Sequence, residues 1–107
     1  MILNGKSEVD FIKWASYNYG EDSGDLTMLR EVYRNALIIE FFDSVGIYIY
    51  LETGTYFNKP NFRYEIITNN DTCIGYKESS RLEATIQAIK KANDIYNERT
   101  NRTEKRW

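Results

Sequence analysis

The most regular pattern along the chain is an alternation of apolar and polar residues in its second half. In the stretch FRYEIITNNDTCIGYK (residues 62–77), Phe62, Tyr64 and Ile66 alternate with two charged residues. A period of two is typical of a strand with one buried face. The Asn-Asn-Asp group at 69–71 tolerates the positive φ of a tight turn. We therefore predict a β-hairpin across this stretch.

A three-to-four spacing of apolar residues follows this hairpin and predicts a helix. Ser80 and Glu83 have the spacing of a capping box, in which each side chain binds a free backbone amide at the start of the helix. The apolar stripe continues to about residue 98. Beyond it the periodicity is lost, and we expect residues 99–107 to form a basic tail.

Two further helices are predicted near the N-terminus. Ser7 is expected to cap the first, which ends near Tyr19 and is followed by an acidic loop. Asp25 is expected to cap the second, whose apolar residues recur at helical spacing to Leu37.

The segment ALIIEFFDSVGIYIYLE (residues 36–52) has two interpretations. It either continues the second helix to Phe42 or forms two strands around the turn-forming group at 43–46. Because its apolar residues are largely β-branched or aromatic, we favour the hairpin. A loop at 53–61, which holds the only proline, would then lead to the second hairpin.

These elements predict an α+β fold with the order α-α-β-β-β-β-α. An antiparallel sheet of about four strands, built from two hairpins, would carry the helices on one face and leave the other partly open. A length of 107 residues and a hydrophobic content of 42% fit one domain, which we place at 1–98 with the tail after it.

The residue types present in the chain exclude several kinds of catalytic and binding site. The chain has no histidine, so Cys–His and Ser–His–Asp nucleophiles are impossible. The single Cys73 excludes an internal disulfide, and its place in a predicted strand favours a small buried hydrophobe. No glycine-rich phosphate loop is present, and the acidic loop lacks the spacing of a calcium-binding EF-hand. We predict no catalytic residues, no metal and no cofactor.

Neither a membrane span nor a signal peptide is expected. No apolar stretch approaches the roughly 18 residues of a membrane-spanning helix. The N-terminus also lacks the basic and then apolar pattern of a signal peptide. We therefore expect a cytoplasmic protein without a membrane partner.

Charge divides the chain into unequal halves. Residues 1–56 hold four basic and nine acidic side chains, a net −5, whereas residues 57–107 hold ten basic and seven acidic ones, a net +3. Glu21, Asp22 and Asp25 form the densest acidic group. Because phosphate neutralisation dominates nucleic-acid affinity, an acidic front half argues against such binding.

One face of the predicted strand within GIYIYLETGTYF (residues 46–57) is a candidate binding surface. Tyr48, Tyr50 and Glu52 point to one side, and Tyr56 follows. Tyrosine combines a large contact area with a polar tip, so it is enriched at protein interfaces and can stack on bases. The alternatives are cross-strand tyrosine pairing on a half-exposed sheet, or burial beneath the first helices.

The stretch from Phe62 to Arg99 resembles the end of a double-stranded RNA-binding domain, with a hairpin, a serine-containing turn and an alanine-bearing helix. In that family the start of the last helix offers several lysines to phosphates. Here that place carries Arg81 and one acid, and Lys90 and Lys91 come about two turns later. The resemblance thus implies the topology and not RNA binding.

Together with residues 36–52, the same half is similar to small proteins of phages and mobile elements from Bacteroidetes-like bacteria. Their pattern is a pair of hairpins followed by SR-x-EA, present here as Ser80 to Ala84, and an alanine-rich helix. The resemblance implies a short phage protein in the bacterial host cytoplasm, from a group in which counter-defence proteins such as anti-CRISPRs are frequent. Such proteins commonly occupy the surface of a host effector without catalysis.

The leading hypothesis is therefore a non-enzymatic, phage-derived binding protein that inhibits or modulates a host defence nuclease such as a CRISPR effector. Its expected contact residues are Tyr48, Tyr50, Glu52, Tyr56, Glu21, Asp22 and Asp25. The alternative is a nucleic-acid-binding accessory domain with a topology like that of the double-stranded RNA-binding domain. Its expected contact residues are Arg81, Lys90, Lys91, Arg99, Arg102, Lys105 and Arg106. A homo-oligomer that pairs through its edge strands is a third hypothesis.

Overall fold

A computed structural model of the protein describes residues 1–20, 23–56, 58–69 and 71–104. Its three strands form one antiparallel sheet with the strand Lys59–Ile67 in the centre. This confirms the α+β class, but the sheet has three strands and not four. The elements are α1 (Gly5–Tyr19), α2 (Ser23–Met28), α3 (Glu31–Ser44), β1 (Tyr48–Tyr56), β2 (Lys59–Ile67), β3 (Thr72–Glu78) and α4 (Arg81–Glu104).

The predicted hairpin at 36–52 is wrong in its first half, where α3 continues to Ser44. Packing of one side of this helix outweighs the β propensity of its β-branched and aromatic residues. The Asp-Ser-Val-Gly group ends a helix instead of turning a hairpin, and Gly46 adopts a φ of 79° just after it. The helix buries side chains spaced three or four residues apart: Asn35, Ile38, Phe41 and Phe42.

β1 and β2 form a hairpin that the sequence did not predict. They pair along their full lengths and are joined by two residues. The predicted loop at 53–61 is therefore wrong, because most of it is strand. Asn58 in the connection has a φ of 63°, the left-handed conformation that tight hairpin turns require. The hairpin predicted at 62–77 is confirmed as β2 and β3.

α4 contacts all three strands and covers one face of the sheet, which we call the inner face. Three alanines, Ala84, Ala88 and Ala92, are buried along α4, and their small side chains allow the helix to lie close to the strands. On the inner face, the ring of Tyr64 lies where a Cβ atom would stand at Gly75 of β3. The absence of a side chain at Gly75 therefore leaves room for the ring of Tyr64.

Asparagine side chains tie α1 to α4. Oδ1 of Asn97 accepts a hydrogen bond from the Ser7 amide at 2.8 Å, and its Nδ2 donates to the Asn4 carbonyl at 3.0 Å. Oδ1 of Asn93 accepts from the Asn4 amide at 3.1 Å. The first amides of a helix lack partners within it, so α4 supplies the cap of α1. The prediction that Ser7 caps this helix is wrong, because α1 begins at Gly5 and the Ser7 side chain is buried.

The second predicted helix is two helices, separated at Leu29 and Arg30. Nη1 of Arg34 donates to the carbonyls of Leu26 and Leu29 at 3.4 and 3.3 Å, so a side chain of α3 satisfies the end of α2. Asp25 lies in the first turn of α2 and does not cap the longer helix predicted there.

Ser80 caps α4 as predicted, because the Glu83 amide donates to its hydroxyl at 3.0 Å. The other end differs from the expectation. The sequence predicts an end near residue 98, whereas α4 continues to Glu104. The helix thus extends into the segment expected to be a tail, and the last three residues of the chain lie outside the described part.

Candidate protein-binding face

The face of the sheet opposite α4, which we call the outer face, contains the tyrosines singled out in the sequence. Alternation along β1 places one set of side chains against α4 and the other set outward. The antiparallel register then aligns the outward side chains in rows across the strands. The first row is Tyr48, Ile67 and Thr72; the second is Tyr50, Glu65 and Ile74; the third is Glu52 and Arg63.

The apolar members of the outer face are substantially exposed. Tyr48 is 41% exposed, Tyr50 is 50% exposed and Ile74 is 45% exposed. The possibility that the first helices bury the tyrosines is therefore wrong. The other possibility, tyrosine pairing across strands, is also wrong among the described residues, because Tyr48 faces Ile67 and Tyr50 faces Glu65.

Charged side chains border the tyrosines on the outer face. Nε of Arg63 donates to Oε2 of Glu52 at 2.6 Å, and the two residues are direct partners across β1 and β2. Both side chains remain 40% to 48% exposed. Because each charge neutralises the other, the pair presents a polar rim of little net charge next to the tyrosines, and Glu65 adds one carboxylate between Tyr50 and Ile74.

This arrangement suits contact with a protein. The centres of protein interfaces are enriched in tyrosine and depleted of charge, and their rims are polar. Truncating such aromatic anchors usually has the largest effects on affinity. The sequence did not single out Arg63, Ile67 and Ile74 as parts of this face, because their position depends on the register of β2 and β3.

The structure describes only some of the other residues predicted for protein binding. Asp25 is exposed on α2, and Tyr56 is the last residue of β1. Glu21 and Asp22 lie outside the described residues. The predicted acidic patch is therefore represented by Asp25 alone in the part of the chain that the structure describes.

The basic residues predicted for nucleic-acid binding do not form one patch on α4. At 100° per residue, Lys90 lies on the side of the helix opposite Arg81, and Arg99 lies about 27 Å along the axis from Arg81. Both arginines also bond within the chain: Arg81 Nη2 donates to the Thr53 hydroxyl and Arg99 Nη2 to the Val45 carbonyl, each at 3.3 Å.

The remaining basic residues do not complete a basic patch on α4 in the described part of the chain. Lys91 is exposed one residue after Lys90 and faces a different direction around the helix axis. Arg102 belongs to the last turns of α4, whereas Lys105 and Arg106 lie outside the described residues. Within the described chain, no concentrated basic face of the kind that phosphate binding needs is assembled on α4.

Cys73 is half-buried on the inner face, in line with its interpretation as a small hydrophobe. Burial, together with the neighbouring Cys73 and Glu78, raises the pKa of Tyr64 on the same face. Among the described residues, no group of three or more cysteine, aspartate or glutamate side chains is placed to hold a metal ion. No helix in the described part is long and apolar enough to cross a membrane.

Comparisons of the chain with protein-family models, with curated proteins and with solved structures find no match.

Proposed function

We propose that the chain is a non-enzymatic protein-binding domain that docks a partner protein on its outer face. The observation that carries the proposal is the pair of half-exposed tyrosines, Tyr48 and Tyr50, aligned with Ile67 and Ile74 on a sheet whose other face is filled by helices. Buried side chains fix the sheet on one side, so the aromatic side is held rigid before any partner arrives. Such preorganisation reduces the entropy lost on binding.

The size of the outer face limits the interface. Three strands spaced about 4.8 Å apart, with β1 and β2 each nine residues long, give a face of roughly 400 Å². One partner in a standard interface contributes about 800 Å². The proposed partner must therefore also contact surface beside the sheet, or meet a face larger than that of one chain.

More specifically, we propose that the partner is a host defence nuclease, such as a CRISPR effector. The chain would be a phage-derived protein that binds this nuclease and inhibits or modulates it. The support is the resemblance to small phage proteins and the net charge of −5 in residues 1–56. A nuclease has a basic nucleic-acid channel, and complementary charge speeds association with such a surface.

Affinity capture from a defence-proficient bacterial lysate, with and without nuclease treatment, tests the proposal. We expect a stoichiometric protein that survives nuclease treatment and is lost with Tyr48→Ala and Tyr50→Ala combined. Tyr17→Ala and Tyr33→Ala form the matched control, because these tyrosines are 90% and 61% exposed and lie on α1 and α3. Purified effector with its target DNA then shows whether the chain blocks cleavage.

Equal loss of the partner with both pairs of variants would contradict the outer face as the binding surface. Capture of nucleic acid alone, removed by nuclease treatment, would favour the alternative function on α4. That alternative also predicts an affinity that falls steeply with added salt, because phosphate binding releases counterions.

A further inference from the structure

The two edges of the sheet differ in how well they are protected from pairing with another strand. β3 is seven residues long, includes Lys77, and its register with β2 shifts between Phe62 and Tyr64. β1 is nine residues long, has no lysine or proline, and pairs with β2 without a shift. Lysines, prolines and irregular registers are among the features by which proteins protect sheet edges, and the charged side chain of β1, Glu52, is paired with Arg63 of β2. β1 lacks all three.

The backbone groups available on the β1 edge follow from the hairpin. Two residues join β1 to β2, and the residues that flank a two-residue turn exchange both backbone hydrogen bonds. Tyr56 and the other even-numbered residues of β1 therefore bond to β2. The odd-numbered residues turn their amides and carbonyls to the open edge. Thr53 and Thr55, which are two of them, are exposed, and the contact recorded at Thr53 is made by its side chain, whose hydroxyl accepts a hydrogen bond from Arg81 of α4.

We propose that β1 pairs antiparallel with β1 of a second copy of this chain, about a two-fold axis at Leu51, to form a continuous six-stranded sheet. In this register the hydrogen-bonded pairs are odd-numbered residues, as the free edge requires. On the outer face it places Tyr48 opposite Gly54 of the other copy and Tyr50 opposite Glu52. Each contact occurs twice, as two-fold symmetry demands.

Neighbouring registers are less favourable. A two-fold axis at Glu52 would set the two Glu52 carboxylates directly opposite each other, and like charges in that position destabilise a sheet. An axis at Tyr50 would pair Gly54 with Gly46, which lies outside the strand. The axis at Leu51 avoids both problems and sets two leucines together.

The contact between Tyr48 and Gly54 repeats one that the chain already makes. On the inner face, the ring of Tyr64 covers Gly75 of the adjacent strand. On the outer face, no atom of the described residues lies within 4 Å of the place where a Cβ atom of Gly54 would stand, although half-exposed tyrosines lie on the same strand. An aromatic ring from a neighbouring strand is known to stabilise a glycine in a sheet. Tyr48 of the second copy supplies that ring.

The pairing also enlarges the outer face. Two sheets side by side present roughly 800 Å² of continuous surface, which is the contribution of one partner to a standard interface. The pairing itself rests on the β1 edge and does not depend on the proposed function.

The mass of the full chain in solution, followed by sedimentation from micromolar to millimolar concentration, tests the proposal. We expect a rise from 12.7 kDa to twice that value. Gly54→Val should keep the mass at 12.7 kDa, because its side chain has room in the single chain but fills the place of Tyr48 in the pair. Circular dichroism verifies that the variant folds. A single-chain mass at every concentration, or a dimer that Gly54→Val leaves intact, would overturn the pairing.

Disulfide crosslinking tests the register in a Cys73→Ser background. The two copies of a Leu51→Cys variant would face each other across the axis, within the Cα separation that a disulfide needs. The matched Thr53→Cys variant should not link, because its two copies would lie about 14 Å apart along the strands. Linking of Thr53→Cys in preference to Leu51→Cys would overturn the register. Neither measurement involves a partner protein, so their outcome is separate from that of the proposed function.

Discussion

The inner and outer faces of the sheet are built from adjacent residues of the same strands, yet they differ in almost every physical respect. On β2, Ile66 is fully buried in the core on the inner face, whereas Ile67, the next residue, lies half-buried on the outer face. The inner face is covered by α4, and the outer face presents Tyr48 and Tyr50 to solvent.

This difference separates the residues that hold the fold from those that are free to bind. Removing an inner side chain leaves a cavity that the helices cannot fill, because the core is close-packed. An outer side chain has solvent on one side, so its replacement leaves no cavity. Stability should therefore follow the inner face and partner binding the outer one.

Paired substitutions on β2 test this separation most directly. We expect Ile66→Ala to lower the free energy of unfolding by about 2–5 kcal/mol, as for other large-to-small changes in a core. Ile67→Ala, one residue away, should lower it by less than about 1 kcal/mol, because its side chain is only half-buried. Urea denaturation of the two variants measures both values. Equal losses would show that both faces are buried in solution.

Two glycines allow the same comparison with a small-to-large change. Gly75→Ala should destabilise the fold by about 1–3 kcal/mol, because the new methyl group collides with the ring of Tyr64. Gly54→Ala should be neutral or stabilise the fold by up to about 1 kcal/mol, since none of the described residues lies within 4 Å of its Cβ position. Thermal unfolding at low micromolar concentration compares them without self-association. A loss at Gly54 as large as that at Gly75 would contradict an open outer face.

The residues of the outer face were partly predictable from the sequence. Alternation alone separates Tyr48 and Tyr50 from the core side of β1, and the structure places them as expected. The place of Ile67 and Ile74 on this face was not predictable, because they lie beside the tyrosines only through the register between strands. Register depends on where a hairpin turns, and the turn after Tyr56 carries no strong sequence signal.

The limits of prediction for the fold have a similar cause. Ile38, Phe41 and Phe42 favour a strand by their local propensity, but they lie in α3 because their helical side packs in the core. The last hairpin and the capping of α4 by Ser80 were predictable, since both depend on residues close together in the sequence. Contacts such as that of Asn97 with Ser7 span 90 residues and leave no local pattern.

The helical layer that covers the inner face should lose stability at high pH through Tyr96. Its hydroxyl donates to Oδ2 of Asp10 at 2.5 Å, and burial together with this hydrogen bond raises the pKa of Tyr96 to about 12. The protonated phenol is thus favoured in the folded chain. Its contribution should be complete below pH 10 and lost as the pH rises through 12. The wild type should exceed Tyr96→Phe in stability at pH 8, and the difference should shrink toward pH 12.

Urea titrations of both proteins at several pH values measure that difference in stability. The effects of the other tyrosines on stability cancel in the difference, because both proteins contain them. Tyr17→Phe is the control for loss of an exposed tyrosine hydroxyl, since Tyr17 is 90% exposed. A difference for Tyr96→Phe that stays constant from pH 8 to 12 would contradict the raised pKa.

The smallest expected effect concerns the ion pair at the rim of the outer face. Glu52 and Arg63 are direct partners across β1 and β2, but both side chains are nearly half-exposed. Solvent screens such pairs, so a double-mutant cycle with Glu52→Ala and Arg63→Ala should give a coupling energy of about 0.2–1 kcal/mol. The coupling should weaken in 1 M salt, where the screening length falls to about 3 Å. A coupling well above this range that resists salt would mean that the rim is desolvated, as it would be if another protein surface covered the outer face.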